Sequence, residues 1–205
     1  MNKFYVLLAG DNAGKSTVLN YFLERQDWQV ASYDAVNVPE EYRIIRDIDD
    51  SMETHTLKYF PQFSTEFKSS LYAPYIYYLR DQVQEKLKTG NVLCNSYYYK
   101  ILAKDFLQGG DNPSFHNEWR KLPKPDRILF LDTPPEVAAS RIEDIFSLFS
   151  NEYEGEVPSV TGFVSFQHKL KERMLYETKD IPTVFLPGDK SVAEILTALE
   201  QALQE

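Results

Sequence analysis

The chain has 205 residues, 43% of them hydrophobic and 26% charged, with a formal net charge of −9. Such a length supports one substantial core and about one domain and excludes a disordered chain, while the acidic balance excludes a large nucleic-acid footprint, which needs clustered basic charge. No apolar run approaches the roughly 20 residues of a membrane span, and the start MNKFYVLLAG lacks a cleavable-signal pattern, so a cytoplasmic protein without a membrane partner is expected.

The first strand is expected over 3–9. Residues 4 to 18, FYVLLAGDNAGKSTV, run from an apolar segment directly into Gly14, Lys15, Ser16 and Thr17, then into a helix with Val18, Leu19, Phe22 and Leu23 at helical spacing. This is a Walker A phosphate loop: backbone N–H groups and a helix N-terminus surround a triphosphate, Lys15 reaches its outer phosphates, and the Ser16 hydroxyl holds Mg²⁺. The pattern GxxxxGK[ST] places glycine where this chain has Ala9, with Gly10 one step later.

A second strand is expected over 29–33 (QVASY), followed by a loop near 34–39. A long helix follows from about 64 to 89, with Leu79, Val83 and Leu87 on one face, Gly90 as its stop, and Pro74 expected to kink or divide it. Residues 91–94 (NVLC) give the third strand. Its Cys94, the only cysteine, excludes an internal disulfide and reads as a buried thiol. Residues 108–126 are rich in turn formers, although Phe115 and Trp119 suggest partial packing. A fourth strand over 127–131 precedes a helix entered at Pro134 and Pro135 and carrying Val137, Ala138, Ile142, Ile145 and Phe146. The acidic segment 150–162 reads as a lid, and helix 163–178, strand 182–186 and helix 190–203 complete the chain. Strands alternating with helices predict an α/β fold with a parallel sheet covered on both faces.

Several polar residues carry two readings. Asp34 at the end of the second strand either binds an acceptor in the crevice or caps a turn, and Arg46 either binds phosphate or pairs with neighbouring acids. Asp132 either contacts Mg²⁺ through water or caps the Pro134 helix. His55, His116 and His168 lack metal-ligand spacing. The tyrosines at 72, 75, 77, 78 and 97–99 are candidates for an acceptor wall, Tyr75 and Tyr97 foremost, or for core and surface packing.

Taken together, AGDNAGKST, SSLYAPY, GNVLCNSYYYKILA, PDRILFLDTPPEVAASRI and FLPGDKSVAEIL resemble the thymidylate kinase branch of the nucleoside monophosphate kinases over essentially the whole chain. The resemblance implies a P-loop kinase fold of five parallel strands with helices on both faces, a lid at about 146–162, and a homodimer. It implies that Asp11, Asn12, Ala13, Gly14, Lys15, Ser16 and Thr17 hold ATP, that Arg141 approaches the nucleotide, and that Gly188, Asp189 and Lys190 border adenine. Arg46, Asp34, Tyr75, Asn95 and Tyr97 fall at acceptor positions, with Lys15, Asp34 and Arg141 as candidates for the chemistry.

The departures from that pattern are specific. Asn95 and Ser96 stand where the family shows an Asp-Arg pair, Tyr75 where it shows an arginine, and the arginine that the family places in the loop or the lid for the transferring phosphoryl group is missing, the loop offering Asp11 and Asn12 and residues 142–162 no lysine or arginine. Three activities are therefore compatible with the residues: transfer of the γ-phosphate of ATP to a nucleoside monophosphate such as dTMP or a modified relative, transfer to an unphosphorylated nucleoside or other small hydroxyl acceptor, or nucleotide binding with little or no turnover.

Overall fold

The computed structural model describes residues 2–34, 38–110 and 112–204. The loop expected near 34–39 and the one beginning at 108 therefore lie partly outside the described residues. The core is a five-stranded parallel sheet of order β2-β3-β1-β4-β5, formed by β1 (Phe4–Leu8), β2 (Trp28–Ala31), β3 (Asn91–Asn95), β4 (Arg127–Asp132) and β5 (Thr183–Pro187).

Every residue of central strand β1 is buried, and its side chains divide between two cores. Phe4, Val6 and Leu8 join one apolar cluster; Tyr5, Leu7 and Ala9 join the other. That division follows from the two-residue alternation of a strand covered on both faces. The first cluster takes in α3 (Thr65–Lys86), α4 (Tyr97–Leu107) and α7 (Val160–Glu177), with contributions from α2 (Arg43–Ser51) and α5 (Pro113–Arg120). The second takes in α1 (Lys15–Leu23) and α8 (Val192–Gln204). The short α6 (Pro135–Ser140) packs Ala138 and Ala139 against Phe163 of α7.

Three expectations are corrected. Helix α3 runs unbroken through Pro74, because the packing of Tyr72, Tyr75, Ile76 and Leu79 against the sheet outweighs the one backbone hydrogen bond that proline removes. Segment 108–126 contains α5, entered at Pro113 and anchored by fully buried Trp119. The helix entered at Pro134 ends at Ser140 instead of continuing to Phe146, which is 75% exposed; the chain turns there so that Arg141 reaches back across the sheet edge.

Candidate nucleotide and acceptor site

The phosphate loop begins where β1 ends, at the carboxyl edge of the sheet, where open parallel sheets place their ligand crevice. Gly14 (φ 94°) and Asn12 (φ 54°) take left-handed conformations, and Gly14 stands at the start of α1 with no side chain capping the helix. The helix therefore presents its positive end and free N–H groups to the loop. Gly10 has a different function, one of space. A Cβ there would sit 2.9 Å from Gln167 Oε1, the atom that accepts the Asp11 N–H at 2.8 Å. The glycine shifted from position 9 thus admits a glutamine from α7 that fixes the loop.

Asp11 is buried and held on three sides. Gln167 Nε2 donates to its carboxylate at 2.8 Å, Lys100 Nζ lies 2.8 Å away and Lys104 Nζ 3.1 Å away. Burial by itself would push this carboxyl up, yet Lys100 and Lys104 outweigh it and hold the group far below the usual carboxylate range. The same burial, with Lys100 beside it, pushes the Lys15 ammonium down to about 7, against the pull of Asp11. Three lysines around Asp11 and the more distant Glu152, 4.0 Å from Lys104, leave an excess of positive charge that a phosphate anion would neutralise.

A cleft of about 290 Å³ opens from this lysine cluster. Its lining includes Tyr33, Tyr72 and Tyr75 and the acids Asp34, Asp49 and Glu53. Asp34 accepts from the Ser32 hydroxyl at 2.5 Å and from Asn95 Nδ2 at 3.3 Å. An aspartate at position 95 would set two like charges together; the amide converts that repulsion into a hydrogen bond. Burial, then Glu53, raises the Asp49 carboxyl to about 6, with the Tyr75 hydroxyl opposing the rise.

The lid segment closes one side. Phe149, Asn151 and Glu152 line the cleft, Asn151 Nδ2 donates to the Tyr72 hydroxyl at 3.2 Å, and Ser150 Oγ donates to the Leu57 carbonyl at 2.5 Å. On the opposite flank of the loop, Arg141 donates to the carbonyls of Asn12 (3.3 Å) and Gly188 (3.0 Å), joining the loop to the turn after β5. Gly188 admits no side chain, since a Cβ would fall 2.0 Å from Thr133 Oγ1. Thr133 Oγ1 in turn donates to the Ala13 carbonyl at 2.8 Å.

Against known proteins, no family model and no curated sequence matches the chain. Among solved structures, the thymidylate kinase from Candida albicans superposes with a TM-score of 0.63 at 19% identity, covering 99% of this chain and 91% of that one. The chain has a thymidylate kinase-like fold. The Candida protein is described as having broad substrate specificity and a novel structural element.

Within this nucleotide-kinase fold, the structure brings Asp11, Lys15, Asp34, Tyr75 and Asn95 to one cleft. Ser16 is exposed at the start of α1, followed by Thr17, and Asp189 and Lys190 follow Gly188 in the turn that Arg141 braces. Two expected acceptor residues stand elsewhere. Tyr97 is fully buried against Phe4, with ring centroids 5.4 Å apart, because Ser96 and Tyr97 both adopt left-handed backbone angles that turn the ring into the core. Arg46 donates to the Val38 carbonyl (2.7 Å) and to Glu40 (3.2 Å). Asp132 pairs with Lys171 at 2.5 Å and caps nothing, while Lys169 pairs with Glu154 at 2.5 Å. Lys100, Lys104, Gln167, Tyr33 and Asp49 are the site residues that sequence reasoning missed. The legible trace of the first two was a pair of lysines four apart in an otherwise apolar helix, YYYKILAK.

Proposed function

We propose that the chain is an ATP-dependent phosphotransferase acting in nucleotide metabolism, moving the γ-phosphoryl group to a nucleotide-like acceptor, with a nucleoside monophosphate such as dTMP or a modified relative as the leading substrate. One observation carries this reading: a single cleft is lined both by the phosphate-loop residues Lys15 and Asp11 and by the aromatic rings of Tyr33, Tyr72 and Tyr75. An acceptor seated there would face the outer phosphate of an ATP on the loop.

In this reading residues 11–17 bind the triphosphate, Lys15 holds its outer phosphates, and Arg141 steadies the loop against the Gly188–Lys190 turn beside adenine. The lysine excess and the uncapped α1 fit a Mg²⁺-bound triphosphate. Mg²⁺ would be held by the Ser16 hydroxyl and supply charge neutralisation at the phosphates. Catalysis is otherwise positioning, with the lid excluding water. The homodimer of the resemblance belongs to the same proposal.

A hydroxyl acceptor is the second reading, favoured by the position of Arg46 outside the cleft and of Asp34 inside it, where a carboxylate would take the hydroxyl proton. The test is ATP consumption with Mg²⁺ over dTMP, dUMP, 5-substituted dUMPs, dCMP, thymidine and simple alcohols, repeated with Lys15→Ala. Turnover with monophosphates that Lys15→Ala reduces by at least about 10²-fold supports the leading reading. Turnover with nucleosides alone moves the assignment to the second. Saturable ATP binding without turnover on any acceptor leaves a nucleotide-binding protein.

A further inference from the structure

The fold supplies a phosphate loop and a cleft, but the usual sources of charge for the group in transit are missing. The loop has Asn12, and residues 142–162 contain no lysine or arginine. The nearest basic residues of α7 do not line the cleft, Lys169 pairing with Glu154 and Lys171 with Asp132 away from it. Arg141 faces the Asn12 and Gly188 carbonyls. Helix α4 differs from all of these. Lys100 and Lys104, one turn apart on its cleft side, each have side chains only 11% exposed, and both ammonium groups lie within 3.1 Å of the loop carboxylate Asp11 and line the cleft.

We propose that Lys100 and Lys104 are the cationic clamp for the phosphoryl group in transit, replacing the missing arginine from helix α4 beside the phosphate loop. The inference rests on the kinase reading. During transfer, the bond from the γ-phosphorus to the bridging oxygen breaks and its electron pair stays with ADP. A bond forms between that phosphorus and an acceptor oxygen. An acceptor hydroxyl's proton passes to Asp34; an ionised phosphate has none to lose. Each ammonium of Lys100 and Lys104 has three N–H donors, so it can hold Asp11 with one and spare the others for the equatorial phosphoryl oxygens. Asp11 is then a positioning residue. It keeps two mutually repelling lysines together in the ligand-free protein and aims them at the loop. A buried cation is worth most where charge develops in a water-poor cleft.

A purely structural alternative gives the lysines no task beyond neutralising Asp11, and one cycle separates the two. Lys100→Met, Lys104→Met and their double variant are assayed with Mg-ATP and the best acceptor of the panel above, alongside each variant combined with Asp11→Asn. Mg-ATP binding is followed by fluorescence titration and folding by thermal melting. The expected result is a fall in kcat of about 10³-fold or more for the double variant, the range attributed to one cationic finger, with KM for both substrates within about threefold. Adding Asp11→Asn should restore the melting temperature and leave kcat low. Lys104→Arg should recover part of the rate. Recovery of kcat on adding Asp11→Asn would overturn the inference, as would a loss confined to KM or a double variant within threefold of wild type. A wild type that binds Mg-ATP and turns over no acceptor removes the kinase reading and this inference with it. Turnover with an insensitive double variant removes the inference alone.

Discussion

Asp49 is the acid in the acceptor cleft whose environment most opposes its charge. Its folded pKa of about 6 lies above the ordinary aspartate value near 3.9, so in the window between the two the folded state binds more protons than the unfolded one. Stability from this group is therefore fully present below about pH 4 and is lost as pH rises through 6. Asp49→Asn should raise the melting temperature at pH 7.5 and flatten its dependence between pH 4 and 6, as scanning calorimetry across that range will read. An unchanged slope would show that Asp49 is not perturbed. Legibility at this scale followed covalent pattern. Lys15 and Ser16 announce themselves by spacing, whereas Asp49 sits in EEYRIIRDIDD among four other aspartates and glutamates of equal appearance, and only the fold selects it. The tyrosines misled for a related reason. Tyr97, Tyr98 and Tyr99 are consecutive, and the left-handed turn that begins α4 sends all three into the core, a choice no propensity encodes.

Among the elements, the five strands were the most readable, since each is a short apolar run, β1 buried throughout and the edge strand β5 still apolar though only Leu186 of it is buried. Helix ends were less so. Helix α6 has an apolar pattern beyond Ser140, and its early stop reflects a tertiary contact of Arg141. Helix α3 shows the reverse, a local breaker overruled by packing. Pro74 removes a donor from the middle of that helix, so Pro74→Ala should stabilise the protein by about 1 kcal/mol in urea denaturation, less the entropy that alanine restores to the unfolded chain. Destabilisation instead would mean that the proline shapes the cleft wall formed by its neighbours Tyr72 and Tyr75.

At the level of the whole molecule, one sheet carries two cores, and everything assigned to chemistry gathers at the carboxyl ends of its strands. Among the described residues no helix is long and apolar enough to cross a membrane. The proposed homodimer would use helices beside the sheet, and α3 leaves Phe67 and Tyr77 on its exterior at 48% and 38% exposure. Solution scattering at two concentrations should give a mass near twice 23.9 kDa that does not fall on dilution; a monomer mass at both would refute the dimer. The α/β class, the five strands and the phosphate loop could be read from the sequence, because each depends on local periodicity or a fixed spacing. The acceptor half depended on which helix faces lay opposite one another.

Ser96 and Tyr97 join β3 to α4 through two successive left-handed residues, neither of them glycine. Such a corner costs about 1–2 kcal/mol per residue, against which stand the hydrogen bonds of Ser96 to Asn95 Oδ1 and to the Leu7 carbonyl. What it fixes is the azimuth of α4, and with it the side of the helix on which Lys100 and Lys104 emerge. If the proposed clamp holds, robustness and turnover are set against each other at this corner: a glycine would relax the backbone, while loosening what holds the lysines to the loop.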